Sequence, residues 1–311
     1  MKLAISFFMS IILLAMPQAG AQSINCEVKD KALRLGQATA QQPASISILA
    51  AFVPTENDDA NLKEGLQAKF ETALRDINNQ FKSQYIHITL ISKGVLNFDS
   101  PMTHKPDSLQ DVVLRMSIDE NVTFYRDTKD VDIVVFLTNF QGDGYGGGMV
   151  CGASGADLAI PETAFIAINL NSYCDHFALT LAHELGHVMG AGGVDATDAY
   201  GNAVRDGGDC FPYARAYQLK RAARQIFGYR TVMAPACPGR ACDPHTMNWS
   251  SPDSCYAVSR YSCLPLGDAG HNNVLVLNQT ARWIAGLHKK KLSNIQKTID
   301  ELQKLMKWAD D

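Results

Sequence analysis

The sequence predicts an α/β (α+β) fold: a twisted, mostly parallel sheet with helices in the N-terminal half, then a loop-rich C-terminal half tied by disulfides. Two observations carry this expectation. Between residues 45 and 190, short β-branched runs alternate with helix-period segments, the pattern of strands joined by crossover helices. Between 191 and 265 the periodicity fades, glycine and proline are frequent, and five of the eight cysteines are found there.

Each element has its own reason. Residues 45–53 are a short, nearly continuous apolar run and read as a strand. Residues 60–82 place Leu62, Leu66, Phe70, Leu74, Ile77 and Phe81 on one helical face. Residues 85–91 alternate Ile86, Ile88 and Leu90 with polar neighbours, a second strand. Residues 107–117 read as a helix with Asp107 as candidate N-cap, and 131–137 as a buried strand. Seven glycines within 140–155 predict a loop or irregular sheet edge, and 163–170 a further strand. Asp175–Gly190 reads as a helix with Asp175 as its cap, and 273–288 as another. The tail 289–311 opens with Lys289, Lys290 and Lys291, then spaces Leu292, Ile295, Ile299, Leu302 and Met306 by threes and fours. Two heptads are marginal alone, so this seam either packs on its own domain or supports weak self-association through 292–306.

Composition narrows the function classes. A formal charge of −4 lacks the basic footprint of a nucleic-acid binder. No internal stretch approaches the roughly 20 apolar residues of a membrane span. The single long apolar run follows Lys2 and ends at Pro17 and Ala19-Gly20-Ala21, which predicts a signal peptide over 1–21 and a secreted or periplasmic protein. Ser23-Ile24-Asn25 before Cys26 is a poor lipoprotein signal. The expected organisation is therefore a signal peptide (1–21), an N-terminal segment (22–44), a catalytic domain (45–288) and a helical tail (289–311). Eight cysteines in an exported chain predict up to four disulfides, with Cys151–Cys174, Cys237–Cys242 and Cys255–Cys263 as candidate local loops. A cysteine zinc site lacks the paired C-x-x-C spacing it needs.

Chemistry concentrates at residues 183–187, His-Glu-Leu-Gly-His. On a helix, positions i and i+4 share a face, so His183 and His187 can grip one ion. Zinc suits two imidazoles, and a catalytic zinc keeps three protein ligands and a water whose pKa it lowers. Glu184 is then the general base that activates the water and later protonates the leaving amine. Glu301 is the only glutamate after Glu184, which argues against a glutamate ligand on a following helix. A ligand soon after the helix fits better, because Gly190 can end the helix in a left-handed conformation and turn the chain back.

These residues resemble the metzincin metalloproteases, whose motif is H-E-x-x-H-x-x-G-x-x-H or ends in Asp. His183, Glu184, His187 and Gly190 match, whereas the last place holds Gly193. A two-residue insertion would let Asp195 serve as third zinc ligand. Asp198 comes second, with His245 and His271 as distant candidates. Asp195 as a solvated loop residue or calcium ligand, and a site without its third ligand, remain alternatives. Tyr229–Pro235 resembles the family's Met-turn, with Met233 beneath the metal and no following tyrosine to act as ligand. Asn248–Pro252 and His271–Asn273, leading into a helix through Ala281, are similar to bacterial reprolysin-like and peptidyl-Asp-type members. The resemblance spans roughly 45–288. It implies an upper α/β half with an active-site helix, a cleft above a loop-rich lower half, and a rim at Val150-Cys151-Gly152 that pairs with an extended substrate strand.

The expected function is an exported zinc endopeptidase acting on protein or peptide substrates. The alternative is a secreted metzincin-like binding protein or effector with weak or no catalysis, because the usual third histidine is missing. An aspzincin-like protease is a lesser reading, based on Asp195 or Asp198 before Tyr200-Gly201. Cys26 is a candidate thiolate cap on the zinc, against a disulfide. Tyr200, Tyr213 and Tyr217 are candidate oxyanion donors with nothing to select among them. Asn121, Asn248 and Asn278 open glycosylation sequons. Gly152–Gly155 is not a serine-hydrolase elbow, and Gly142–Gly148 is not a phosphate loop.

Overall fold

A computed structural model describes residues 31–33, 43–54, 65–97, 106–139, 150–171, 174, 176–193, 196–197, 203–204, 211–219, 229–235, 245–259 and 262–289. Residues 1–21, expected to be a signal peptide, the tail beyond 289, Cys26, Cys210, Cys237 and Cys242 lie outside these residues. A five-stranded sheet is ordered β2-β1-β3-β5-β4, from β1 (Ala44–Phe52), β2 (Ile88–Asn97), β3 (Ile133–Thr138), β4 (Gly152–Ser154) and β5 (Phe165–Asn169). The pairs β1–β2, β1–β3 and β3–β5 are parallel, and only the short edge strand β4 is antiparallel to β5. A β-branched run that crosses from helix to helix gives this mostly parallel sheet.

The strand period of two assigns residues to the two faces. Ile46, Ile48, Ala50 and Phe52 of β1 join one core with Phe70, Leu74, Ile77 and Phe81 of α1 (Leu66–Ser83), with α4 (Phe177–Val188) and with α5 (Asn273–Ile284). Leu49, Ala51 and Val53 face the other way, onto Leu109, Val112, Val113 and Met116 of α2 (Leu109–Ser117) and Val122 of α3 (Glu120–Thr128). Strands buried on both faces explain why the sequence runs are continuously apolar.

Several expectations need correction. Ser108, not Asp107, caps α2: its hydroxyl accepts from the Asp111 amide at 3.1 Å, while the Asp107 amide donates to the Asp111 carboxylate. The second strand starts at Ile88 rather than 85, because Tyr85 takes φ 57° and turns the chain out of α1. Helix α4 begins at Phe177 with His176 at its N-cap and no cap bond from that side chain, while Asp175, the expected cap, lies outside the described residues. The 273–288 helix breaks at Ala285–Gly286 and resumes at Leu287. The pattern also missed α3, which buries only Val122 and Arg126 and so has no apolar stripe. Arg126 is held by backbone carbonyls, donating to Pro161 and Val131.

Two disulfides are present among the described residues, Cys151–Cys174 and Cys255–Cys263, both as the spacing suggested. Side-chain amides add a second kind of tie. The Asn78 amide accepts from the Leu90 N–H at 2.8 Å and donates to the Leu90 carbonyl at 3.0 Å. Gln84 does the same to Trp249, at 2.7 and 2.9 Å, across 165 residues. Each amide satisfies both backbone groups of one buried or half-buried residue, which would otherwise lack partners.

Phe81, fully buried, packs its ring 6.0 Å from that of Trp249 and so joins the sheet half to the loop-rich half. Phe81→Ala opens a cavity at this junction, and we expect a loss of about 3–5 kcal/mol in urea unfolding. A loss under about 1 kcal/mol would show that the junction does not support the fold.

Candidate metal centre

Helix α4 is apolar on the side facing the sheet, where Phe177, Leu181, Leu185 and Val188 are buried. Four residues apart on the same helix, His183 and His187 bring their ring centroids to 4.9 Å and their Nε2 atoms to 3.2 Å. Each far nitrogen is already engaged. His183 Nδ1 lies 2.8 Å from the Val232 carbonyl, and His187 Nδ1 lies 2.7 Å from Asp157 Oδ1. Both partners are acceptors, so each Nδ1 carries the hydrogen and a neutral ring presents a bare lone pair at Nε2. Desolvation, reinforced by the neighbouring His187, pushes His183 down to about 4, so this ring is neutral at physiological pH.

When both rings are neutral and protonated at Nδ1, the two lone pairs face each other at 3.2 Å and repel unless a cation lies between them. Zinc binds imidazole at about 2.0–2.1 Å in tetrahedral geometry, which needs the two nitrogens roughly 3.3 Å apart. The donor set therefore fits zinc in both chemistry and spacing. Asp157 and the Val232 carbonyl are the outer partners that fix ring orientation at such sites.

Glycines shape the surroundings. A Cβ on Gly152 of β4 would lie 2.5 Å from Glu184 Oε1, so the bare backbone there makes room for the buried carboxylate. A Cβ on Gly186 would fall 2.3 Å from Met233 Sδ and 2.8 Å from the Trp249 ring. Met233 thus packs against the backbone of α4 between the two histidines, in a turn closed by the Ala234 N–H donating to Thr231. Helix α4 ends in a Schellman turn. Gly190 has φ 86°, its N–H donates to His187, and the Ala191 N–H donates to Gly186, each at 2.8 Å. The Leu158 and Ala159 amides donate to the His187 and Val188 carbonyls, which brings Asp157 alongside His187.

The structure therefore gathers His183, Glu184, His187 and Met233. Among the described residues, no third His, Cys, Asp or Glu joins the imidazoles. Asp195 and Asp198 lie outside those residues, as does Tyr200. Gly193, at the family's third-ligand place, accepts the Ala216 N–H through its carbonyl. Of the distant candidates, His245 sits one bond away, its Nε2 3.0 Å from the same Val232 carbonyl, and His271 pairs with Asp268 at 2.7 Å. Tyr213 donates to Gln279, and Tyr217 meets the His271 ring edge to face. Sequence reasoning missed Asp157, because nothing local marks an aspartate 30 residues upstream as a histidine partner.

A family model described as metallo-peptidase family M12B, reprolysin-like, matches residues 67–192, from α1 through the helix carrying both histidines. None of the curated proteins compared matches the chain. A solved structure described as a chaperone–substrate complex is similar at 16% identity and a TM-score of 0.55, over 78% of this chain and 35% of that one. Metalloproteinase-II from Bacteroides fragilis is also 16% identical, over 57% of this chain and 55% of that one, with a TM-score of 0.35, too low to argue from. The chain thus spans about a third and just over half of those two lengths. Over residues 67–192 this chain is similar in sequence to the reprolysin-like metallopeptidases, and its mostly parallel α/β sheet is consistent with a metzincin-like fold.

Proposed function

We propose that the chain is an exported zinc endopeptidase in which His183 and His187 hold the metal, Asp195 completes the set and Glu184 is the general base. The carrying observation is the pair of Nε2 atoms at 3.2 Å, each with its opposite nitrogen committed to an acceptor. Zinc bound there supplies Lewis acidity toward a peptide carbonyl and acidity toward water. Glu184 takes the proton of the attacking water and delivers it to the leaving amine. Its burial beside β4 keeps bulk water from competing for that proton. The outer edge of β4 pairs with no other described strand, so an extended peptide can add there and run past the imidazoles. Met233 supports the site from beneath α4 as the methionine of the Met-turn. Disulfides and the apolar leader at 1–21 favour secretion or a periplasmic location.

The alternative, a binding protein or effector without efficient catalysis, is favoured by Gly193 at the usual place of the third ligand. Metal analysis separates the two: the endopeptidase reading expects one zinc per chain in the purified mature protein, and stoichiometrically zinc-free protein would overturn it.

Three variants test the assigned roles. Glu184→Gln should retain zinc and fold while peptide hydrolysis falls by about 10²–10⁴, and wild-type turnover would remove Glu184 from the mechanism. Gly152→Ala should push the carboxylate aside and lower kcat about 10–100-fold with zinc retained; an unchanged kcat would mean the contact is irrelevant. Asp157→Ala should weaken zinc about 10–100-fold in chelator competition, and unchanged affinity would exclude it as the partner of His187.

A further inference from the structure

We infer that Asn273 is a positioning residue for the metal site, through a bracket it forms on Gly192. This rests on the reading of His183 and His187 as zinc ligands. Past His187 the chain turns at Gly190 and enters Gly192-Gly193. Two adjacent glycines are the loosest backbone a chain can have. A donor delivered from this side of the site is only as well placed as these two residues are.

Asn273 supplies the stiffness that the glycines lack. It is fully buried at the start of α5. Its Oδ1 accepts the Gly192 N–H at 3.3 Å, and its Nδ2 donates to the Gly192 carbonyl at 3.0 Å. Both hydrogen-bonding groups of Gly192 are therefore taken by one side chain 81 residues away. Asn273 is itself held, its backbone N–H donating to Ser250 Oγ at 3.0 Å while that hydroxyl donates to the Arg215 carbonyl at 2.5 Å. On the next residue the Ala216 N–H donates to the Gly193 carbonyl at 3.0 Å. The path leaving the metal helix is thus fixed on consecutive residues from two separate segments. An aspartate in place of Asn273 still accepts from the Gly192 amide but sets an oxygen against the Gly192 carbonyl.

A second tie between the same helices provides the control. Thr280 Oγ1 on α5 donates to the Met189 carbonyl at 2.8 Å, at the end of α4. Thr280→Val loosens the contact of the two helices without touching Gly192.

The experiment uses the full mature chain. Zinc affinity is read by competition with a chelator, and geometry by the visible absorption of the cobalt-substituted protein. Asn273→Asp is expected to weaken zinc at least tenfold and change the cobalt spectrum, with Thr280→Val within about threefold of wild type. Asn273→Ser, smaller and uncharged, is read alongside and is expected to weaken zinc in the same direction if the aspartate does not fold. Wild-type affinity and spectrum in the Asn273 variants would overturn the inference, as would an equal loss in Thr280→Val. Failure of the wild-type chain itself to take up zinc or cobalt would instead overturn the ligand assignment, and with it this inference.

Discussion

The site depends on two imidazole Nε2 atoms held 3.2 Å apart, a geometry the protein imposes from outside the pair. A backbone carbonyl and a carboxylate claim the opposite nitrogens, and burial keeps His183 uncharged. Each constraint acts on orientation or protonation, the two properties a histidine ligand needs settled before an ion arrives.

Much of the architecture serves to bring those constraints together. The sheet packs α4 on one face, and the segment after β4 returns along the end of that helix with Asp157. The Met233 turn lies close beneath, where Gly186 removes the side chain that would hold it off, and the same turn offers the Val232 carbonyl to His183. Gly152 plays the matching part above, next to Glu184. At both places a missing Cβ, not conformational freedom, is what the site requires.

How much of this the sequence disclosed follows from the range of each interaction. The strands were legible because burial on both faces leaves a continuous apolar run, and α1 because one stripe of large side chains meets the sheet. The short α3 was not, since it buries an arginine and a valine where a stripe would be. Asp107 and Ser108 are adjacent capping residues, and only the geometry of the first turn chooses between them. The imidazole pair was legible because i and i+4 share a helical face. Asp157 and Asn273 were not, because a contact across 30 or 81 residues leaves no local periodicity. Both disulfides seen closed short loops, the case in which spacing alone is informative.

The amide brackets of Asn78, Gln84 and Asn273 bear on how long the molecule lasts. Loss of ammonia from such a side chain exchanges a donor for an acceptor, so ageing chemistry at one heteroatom would undo a tie between distant parts of the chain. That reaction commonly begins with attack by the next backbone nitrogen on the amide carbon. Here those nitrogens are occupied, with Val274 donating to the Ser250 carbonyl and Tyr85 to that of Lys82. The hydrogen bonds that hold the chain beside these brackets therefore also shield the amides of Gln84 and Asn273 from hydrolysis.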